Sequence, residues 1–417
     1  MLELVLTLSL AASGPTFIED DFAKALKTAK AQKKLLFVDA WAPWCHTCVA
    51  MREQVFTRDT FKAFEKDVVF ASIDTEKTKS ATFLEKYPIQ VWPTLLFIDP
   101  TKEAVVLKWL GSADEVQMQA LLEAARGGGG ALREADDALG ANNAELAAQK
   151  YQAAIAAGDV KARTIVSMLS AMNLAKQNEP CAKTVIEQLP SLTAPADRVA
   201  ALTWGLWCAL ELPDGKSKSS TVDLLVREGT KALTLQGLLP DDTSSLYEVL
   251  VEERSAAKDE AGAKKLAGEW FAFLEAEAAK TKSPAERAVF DPHRVNAALA
   301  SGQAEKMIAP LQRSEKDLPK DYNPPARLAL IQRELGKNDE ALASIERALG
   351  KCKEGPRKLR LFDVKASVLE KKGDAAARKK TLEEALKYAK KLPKQQVSEK
   401  RIASIEEQLA KASAPSP

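Results

Sequence analysis

Residues 17–125 alternate between two hydrophobic periodicities. Phe22, Leu26 and Ala29 share one face of a predicted helix, whereas Leu35–Trp41 is a nearly continuous apolar run typical of a buried strand. After this helix and strand we predict a helical stretch behind residue 48, a strand over 68–73, a polar helix through residue 87, strands over 94–98 and 104–109, and a helix over 114–125. The complete predicted order of this part is therefore α-β-α-β-α-β-β-α. Such apolar strands predict a sheet covered on both faces.

Beyond Gly127–Gly130 the pattern is helical throughout. The four glycines predict a flexible linker, and turn-forming breaks then separate helix-length pieces near residues 158, 213, 240 and 324. A glycine turn followed by an amphipathic segment recurs at Gly336 and Gly373, a spacing of 37 residues. Helix pairs of about this length are typical of tetratricopeptide repeats, so we predict a repeat-like all-α solenoid.

These patterns divide the chain into five parts. We predict a signal peptide over 1–14, an α/β domain over 15–126, the glycine linker 127–130, a helical repeat domain over 131–412 and a disordered tail over 413–417. The first segment has the apolar run and small residues of a secretory signal but no basic leader, so an N-terminal strand or a misplaced start codon is the alternative. We expect no stable membrane insertion after signal removal, because no other stretch approaches 18 apolar residues.

Composition argues against some classes of function. A chain of 417 residues is long enough for two or three domains. Its 60 Lys and Arg residues nearly balance 58 Asp and Glu residues, so we expect no nucleic-acid partner. A basic stretch from Arg357 to Lys391 is interrupted by Glu383 and Glu384, which favours a solvated helix surface.

The candidate chemistry lies in a C-x-x-C pair, Cys45-His46-Thr47-Cys48, which closely follows the apolar strand. The helix-compatible stretch behind it places Cys45 at a helix N-terminus, where the positive end of the macrodipole favours thiolate over thiol. A thiolate beside a second thiol is the minimum equipment for exchanging disulfides with another protein.

Other interpretations of the cysteines remain open. The pair could be half of a zinc site, although no second Cys or His pair lies nearby and the other histidine is the distant His293, or it could be an inert structural disulfide. Heme attachment needs a histidine where Val49 stands. We interpret Cys181, Cys208 and Cys352 first as small buried apolar residues, with a Cys181–Cys208 bridge as the alternative.

Residues 38–48, together with Trp92-Pro93-Thr94 before an apolar strand, resemble the thioredoxin superfamily. The similarity covers residues 17–125 and points to exported thioredoxin-like domains of the disulfide-interchange type, such as the C-terminal domain of DsbD. It implies an α/β thioredoxin fold ahead of the all-α tetratricopeptide-like solenoid. It also implies a thiol-disulfide oxidoreductase of the protein-disulfide reductase type, with no bound cofactor and no metal.

The resemblance also assigns residue roles. Cys45 corresponds to the nucleophile and Cys48 to the resolving cysteine of a redox-active disulfide. Asp39 corresponds to the family's buried carboxylate, whose pKa burial should raise until it can relay a proton for Cys48; a merely tolerated buried acid is the alternative. Pro93 corresponds to the family's cis-proline, beside which the backbone of Trp92 would bind an extended peptide.

Four neighbours should shape the site: Trp44, His46, Thr47 and Thr94. Trp44 is expected to shield it and contact substrates, unless it only packs. A protonated His46 would favour the Cys45 thiolate and ease reduction of the disulfide, unless it is a solvated loop residue. Thioredoxin has Gly-Pro between its cysteines, where this chain has His46-Thr47. Thioredoxin also has a lysine on the third strand, where this chain has Phe70-Ala71-Ser72-Ile73. We therefore do not expect the redox potential of thioredoxin to apply to this protein.

The expected partners are a disulfide-containing protein substrate, an electron-donor reductase and a protein bound by the helical repeats. We expect a periplasmic or otherwise extracytoplasmic location with a membrane reductase as donor, or alternatively the cytoplasm with a flavin-dependent thioredoxin reductase. A hypothesis of another class is an interaction scaffold whose thioredoxin-like unit is an auxiliary or redox-sensing module, since the helical part is more than twice as long.

Overall fold

The computed structural model describes residues 14–127, 132–213 and 215–413. The predicted signal peptide up to residue 13, most of the glycine linker and the tail after residue 413 lie outside these ranges. Within them, every helix is too short or too polar to cross a membrane.

A five-stranded mixed sheet forms the N-terminal domain. Its strands are β1 (Phe17–Glu19), β2 (Leu35–Trp41), β3 (Val68–Asp74), β4 (Thr94–Asp99) and β5 (Ala104–Leu110), in the order β1-β3-β2-β4-β5. The first three in that order are parallel, whereas β4 runs antiparallel to both β2 and β5. The sequence pattern missed β1, because three residues are too few to show an alternation of side chains.

Helices cover both faces of this sheet, as predicted. The helices of this domain are α1 (Phe22–Gln32), α2 (His46–Ala50), α3 (Ala81–Lys86) and α4 (Glu115–Arg126), with a π-helical turn at Met51–Val55 and 3-10 turns at Asp59–Lys66 and Thr78–Ser80. Leu36 and Val38 of β2 pack with residues of α1 and α3, whereas Phe37 points to the opposite face, which carries Met51 and residues of α4. The alternation along β2 therefore fills two cores.

The described residues after 132 form an all-α, tetratricopeptide-like region in which successive helices pack against one another. Its helices are α5 (Arg133–Gly140), α6 (Ala144–Ala156), α7 (Ala162–Leu174), α8 (Asn178–Gln188), α9 (Pro195–Leu210), α10 (Lys216–Ala232), α11 (Pro240–Ala256), α12 (Glu260–Ala279), α13 (Pro284–Ala288), α14 (Asp291–Ala300), α15 (Ile308–Asp317), α16 (Asn323–Glu334), α17 (Asn338–Lys351), α18 (Arg357–Lys371), α19 (Ala375–Ala389) and α20 (Glu399–Ser413), with 3-10 turns at Leu189–Ser191 and Ala304–Met307. Gly336 and Gly373 have φ values of 72° and 73° just after α16 and α18, so the 37-residue echo is a structural repeat.

The helical region packs directly on the sheet domain. Gly140 of α5 lies directly against Val105 of β5. A Cβ atom at position 140 would lie only 2.9 Å from the Val105 Cβ, so only glycine fits there without a shift. Apolar packing is continuous from Phe97 and Trp109 of the sheet to Leu132 and residues of the first repeat helices. The residues on either side of the glycine linker therefore share one core.

A second disulfide joins α8 to α9. Cys181 and Cys208 are fully buried, and their Cα atoms are 6.1 Å apart. Our first interpretation, that these were unpaired apolar residues, is wrong, and the bridge given as the alternative is present. Cys352 is a buried free thiol, as expected.

Removing this bridge should destabilise the helical region. It closes a loop spanning 27 positions, so opening it should lower the free energy of unfolding by about 3 to 4 kcal/mol, because the unfolded chain regains conformational freedom. Urea unfolding of the Cys181→Ala/Cys208→Ala variant measures the loss, with Cys352→Ala as a control that removes a buried thiol but no cross-link. An equal loss in both variants would mean that cavity formation, not the cross-link, accounts for the change.

Candidate active site

The two cysteines of the C-x-x-C pair form a disulfide at the start of α2. Their Cα atoms are 5.3 Å apart. Cys45 occupies the N-cap position with an extended backbone, and its Sγ accepts a hydrogen bond of 3.1 Å from the Cys48 backbone N–H. Cys45 is 5% exposed and Cys48 is fully buried. Because Cys45 is the more exposed of the two, an external thiolate would attack its sulfur, which breaks the Cys45–Cys48 bond and leaves the negative charge on Cys48. In the reduced protein, the helix N-terminus stabilises a thiolate at Cys45.

Asp39 is fully buried on β2, the strand that leads into the cysteine loop. Its Oδ2 lies 3.4 Å from the Ser72 hydroxyl, which donates to it, and its Oδ1 accepts no hydrogen bond from the described residues. Burial raises the pKa of Asp39 to about 7, although the positive charge of Arg52 opposes that shift. A carboxyl group with this pKa can both take and return a proton near neutral pH.

Arg52 takes the place of the lysine that the family has on its third strand. Ser72 is the direct neighbour of Asp39 across the sheet, so β3 supplies a hydroxyl there instead of a charge. The Arg52 guanidinium, from the turn after α2, lies 3.7 Å from Asp39 Oδ2, donates to Ser72 and stacks 4.2 Å from the ring centroid of Trp41. The positive charge beside the buried carboxyl group therefore comes from another element, and nothing in the sequence marks it.

Trp41, Trp44 and Trp92 pack against the disulfide. Trp44 and Trp92 have ring centroids 5.4 Å apart and contact the cluster of Cys45 and Cys48. The peptide bond between Trp92 and Pro93 is cis. Thr94 is fully buried, and its hydroxyl donates to the Val91 carbonyl, so it shapes the turn before β4.

His46 and Thr47 face the helical region instead of open solvent. The Thr47 hydroxyl donates to Asp241 Oδ2 at 2.7 Å, and His46 Nδ1 lies 2.9 Å from Asp241 Oδ1. Burial works against a charged imidazole, but Asp241 outweighs it, so the pKa of His46 is raised. Burial would raise the pKa of Asp241, yet His46 lowers it to about 2. The alternative of a solvated loop histidine is therefore wrong.

The distant His293 also reaches this site. Its Nε2 lies 3.0 Å from His46 Nε2, although 247 positions separate the two residues. Burial and the charge of His46 lower the pKa of His293. The argument that no second histidine lies near the C-x-x-C pair holds along the sequence but fails in the folded chain.

Further contacts tie the helical region to the redox loops. The Trp44 indole donates to Glu76 Oε1 at 2.7 Å, and Glu76 Oε2 accepts from the Arg357 backbone N–H at 2.7 Å. The Arg357 guanidinium stacks 5.1 Å from the Trp44 ring centroid, so the predicted solvated surface is wrong at this residue. Asn323 donates to the Pro43 carbonyl at 3.1 Å.

A cavity of about 640 Å³ remains open beside Trp44. Its walls come from both parts of the chain, and they include Trp92, Glu76, Arg357 and Gln396. The helical region thus covers the disulfide but leaves room next to the two tryptophans.

Comparisons with known proteins agree with this geometry. A family model described as thioredoxin-like matches residues 17–100. Thioredoxin H3 of Arabidopsis thaliana is 33% identical over 92 residues, which are 21% of this chain and 71% of that protein. Protein disulfide-isomerase 1 of Dictyostelium discoideum is 30% identical over 84 residues, which are 20% of this chain but only 23% of that protein.

A solved helical-repeat protein also matches part of this chain. A tetratricopeptide repeat protein from Parabacteroides merdae covers 68% of this chain and 97% of its own length, with 10% identity and a TM-score of 0.45. The sequence match to the plant thioredoxin, the family model and the observed sheet agree on the N-terminal domain. Through that domain, the chain belongs to the thioredoxin-like family.

Proposed function

We propose that the protein is a thiol-disulfide oxidoreductase of the protein-disulfide reductase type. The observation that carries this proposal is the Cys45–Cys48 disulfide at the N-terminus of α2, on a loop that follows the strand of the buried Asp39. A dithiol at a helix start can donate two electrons to another disulfide, and the buried carboxyl group on the preceding strand, whose pKa burial raises to about 7, would serve as the proton acceptor.

The exchange proceeds in two steps. The Cys45 thiolate attacks one sulfur of the substrate disulfide, which breaks that bond, releases one substrate thiolate and leaves a mixed disulfide. Asp39 then takes the proton of Cys48, and the Cys48 thiolate attacks the Cys45 sulfur, forming the Cys45–Cys48 disulfide and releasing the second substrate thiolate. The substrate gains two electrons, and an external dithiol reductase must restore the enzyme.

The cover over the site favours a substrate in an extended segment. Only 5% of Cys45 is exposed, so a rigid folded surface has little access to its sulfur. The segment would lie in the cavity lined by Trp44 and Trp92, the rings that pack against Cys45, and the backbone next to Pro93 would pair with it as an added strand. In this proposal the helical repeats hold the client protein that carries the segment.

An extracytoplasmic location fits this function, with a membrane reductase of the interchange type as electron donor. The Cys181–Cys208 disulfide supports it, because buried disulfides outside a redox site are typical of oxidising compartments. A cytoplasmic protein would depend on a flavin-dependent thioredoxin reductase instead.

A second candidate function is a scaffold whose thioredoxin-like unit senses redox state. The contacts of His46 and Thr47 with Asp241 favour it, because they connect the dipeptide between the cysteines directly to α11. A change in the disulfide would then reach the partner-binding helices without turnover of a substrate.

Trapping of mixed disulfides separates the two functions. A Cys48→Ala variant cannot release a bound substrate, so we expect it to accumulate covalent complexes that migrate as reducible high-mass species on non-reducing gels. The Cys45→Ser/Cys48→Ala variant should lose them all. Recovery of the same partners by this double variant would support the scaffold and contradict the reductase.

A further inference from the structure

The chain has only two histidines, and the fold brings them together. His46 lies between the redox cysteines, and His293 lies on α14 with 2% of its side chain exposed. Their Nε2 atoms are 3.0 Å apart and their ring centroids 3.7 Å apart. The disulfide exchange makes no use of His293, so this contact requires another explanation.

Two carboxylates of α11 complete the cluster. Asp241 Oδ1 lies 2.9 Å from His46 Nδ1, and Glu248 Oε2 lies 3.6 Å from His293 Nε2. The two acids are seven residues apart on one helix, so they lie on the same face about two turns apart. Asp241 is 4% exposed and Glu248 27%.

This arrangement is a set of metal-binding atoms. One ligand atom from each of His46, Asp241 and His293 can be chosen so that all lie within 4.8 Å of one another. Ligands bound to one tetrahedral Zn²⁺ at about 2.0 to 2.2 Å lie about 3.3 to 3.6 Å apart. Asp241 and His293 approach different nitrogens of the His46 ring, Nδ1 at 2.9 Å and Nε2 at 3.0 Å, and only one of these nitrogens can bind the same ion, so one of the two neighbours must shift toward it when the ion binds. Two imidazole nitrogens with a carboxylate oxygen suit Zn²⁺, which would replace the proton shared between the two rings in the ion-free protein.

We propose that His46, His293 and Asp241 form a Zn²⁺ site that joins the thioredoxin-like domain to the helical region. Glu248 adds negative charge beside His293 and is placed to orient that ring or to bind the ion directly. The positive charge of Arg327 acts against a cation here, but it is shared with Asp321 and Asp291. The bound ion would fix α11 and α14 over the cysteine loop.

Binding of Zn²⁺ at this site does not require free thiols, so the test uses protein in which Cys45 and Cys48 are joined as a disulfide. The full-length oxidised protein, without reducing agent, is titrated with Zn²⁺ in competition with a chromophoric chelator. We expect one Zn²⁺ per chain, and Co²⁺ in its place should give the visible absorption of a tetrahedral site without a thiolate charge-transfer band. The Cys45→Ser/Cys48→Ser variant should bind equally well; loss of binding there would assign the ion to the thiols and overturn the proposal.

Substitutions in the cluster locate the ion. His293→Ala should weaken Zn²⁺ binding by more than about 100-fold and Asp241→Asn by about 10- to 100-fold, whereas Asp242→Asn should leave it unchanged. Asp242 is the matched control, because it is the adjacent acid on α11 but hydrogen-bonds to Ser112. His46→Gln repeats the test at the less buried histidine, and circular dichroism verifies folding. The absence of Zn²⁺ binding by the wild-type chain, or equal binding by His293→Ala, would overturn the proposal.

Discussion

Cys45→Ser should slow the reduction of insulin disulfides by dithiothreitol about 10³-fold or more relative to the wild-type-catalysed rate, a loss of about 4 kcal/mol of transition-state stabilisation. The reason is chemical: a serine hydroxyl stays protonated at neutral pH and cannot form a disulfide, whereas a cysteine at a helix N-terminus is stabilised as the thiolate. The α2 N-cap gives Cys45 this position, and Cys48 is buried behind it.

The measurement is the insulin-turbidity rate at fixed dithiothreitol, corrected for the uncatalysed reaction. Cys352→Ser is the matched control, because it removes the buried free thiol outside the site and should leave the rate unchanged. A Cys45→Ser variant as fast as the wild type would rule out the reductase function.

Asp39→Asn should make the oxidised protein more stable at alkaline pH by about 3 to 4 kcal/mol. Burial raises the pKa of Asp39 to about 7 from an ordinary value of 3.8, so ionising it inside the fold costs free energy that asparagine does not incur. Arg52 remains close to Glu19, at 3.2 Å, and is partly exposed, so loss of its contact with Asp39 should cost little.

The pH dependence gives the sign of the effect. Between about pH 4 and 7 the folded state holds a proton that the unfolded state has released, so the contribution of Asp39 to wild-type stability falls as the pH rises through that range. The two proteins should therefore unfold at nearly the same urea concentration at pH 4 and differ most at pH 8. A difference independent of pH would show that folding does not raise the pKa of Asp39.

The same variant tests the role of Asp39 in the exchange. Without a base for Cys48, the second step should slow by about 100-fold at neutral pH, and the mixed disulfide should persist. Stopped-flow mixing of reduced protein with a model disulfide measures this step. An unchanged rate combined with higher stability would identify Asp39 as a tolerated buried acid.

The sequence determined the local structure of this protein well. Periodicity placed the longer strands, the helices on both faces of the sheet and the breaks between the repeat helices, because each depends on residues near one another in the chain. Spacing alone also placed Cys45 at a helix start. It missed β1, whose three residues pair with β3 only after the chain has folded back.

The tertiary structure decided what surrounds the cysteines. Arg52 supplies the positive charge beside Asp39, Asp241 and His293 meet His46 from about 200 and 250 positions away, and Cys181 pairs with Cys208 across two helices. No local pattern encodes such contacts, because they depend on how the turn after α2 packs on the sheet, how the repeat helices stack and where that stack meets the sheet. The sequence by itself therefore determined where the C-x-x-C pair lies, between a buried strand and a helix start. Only the packing of α11, α14 and α18 determined that its neighbours His46 and Trp44 contact Asp241, His293 and Arg357, because residues so far apart in the chain meet only once it has folded.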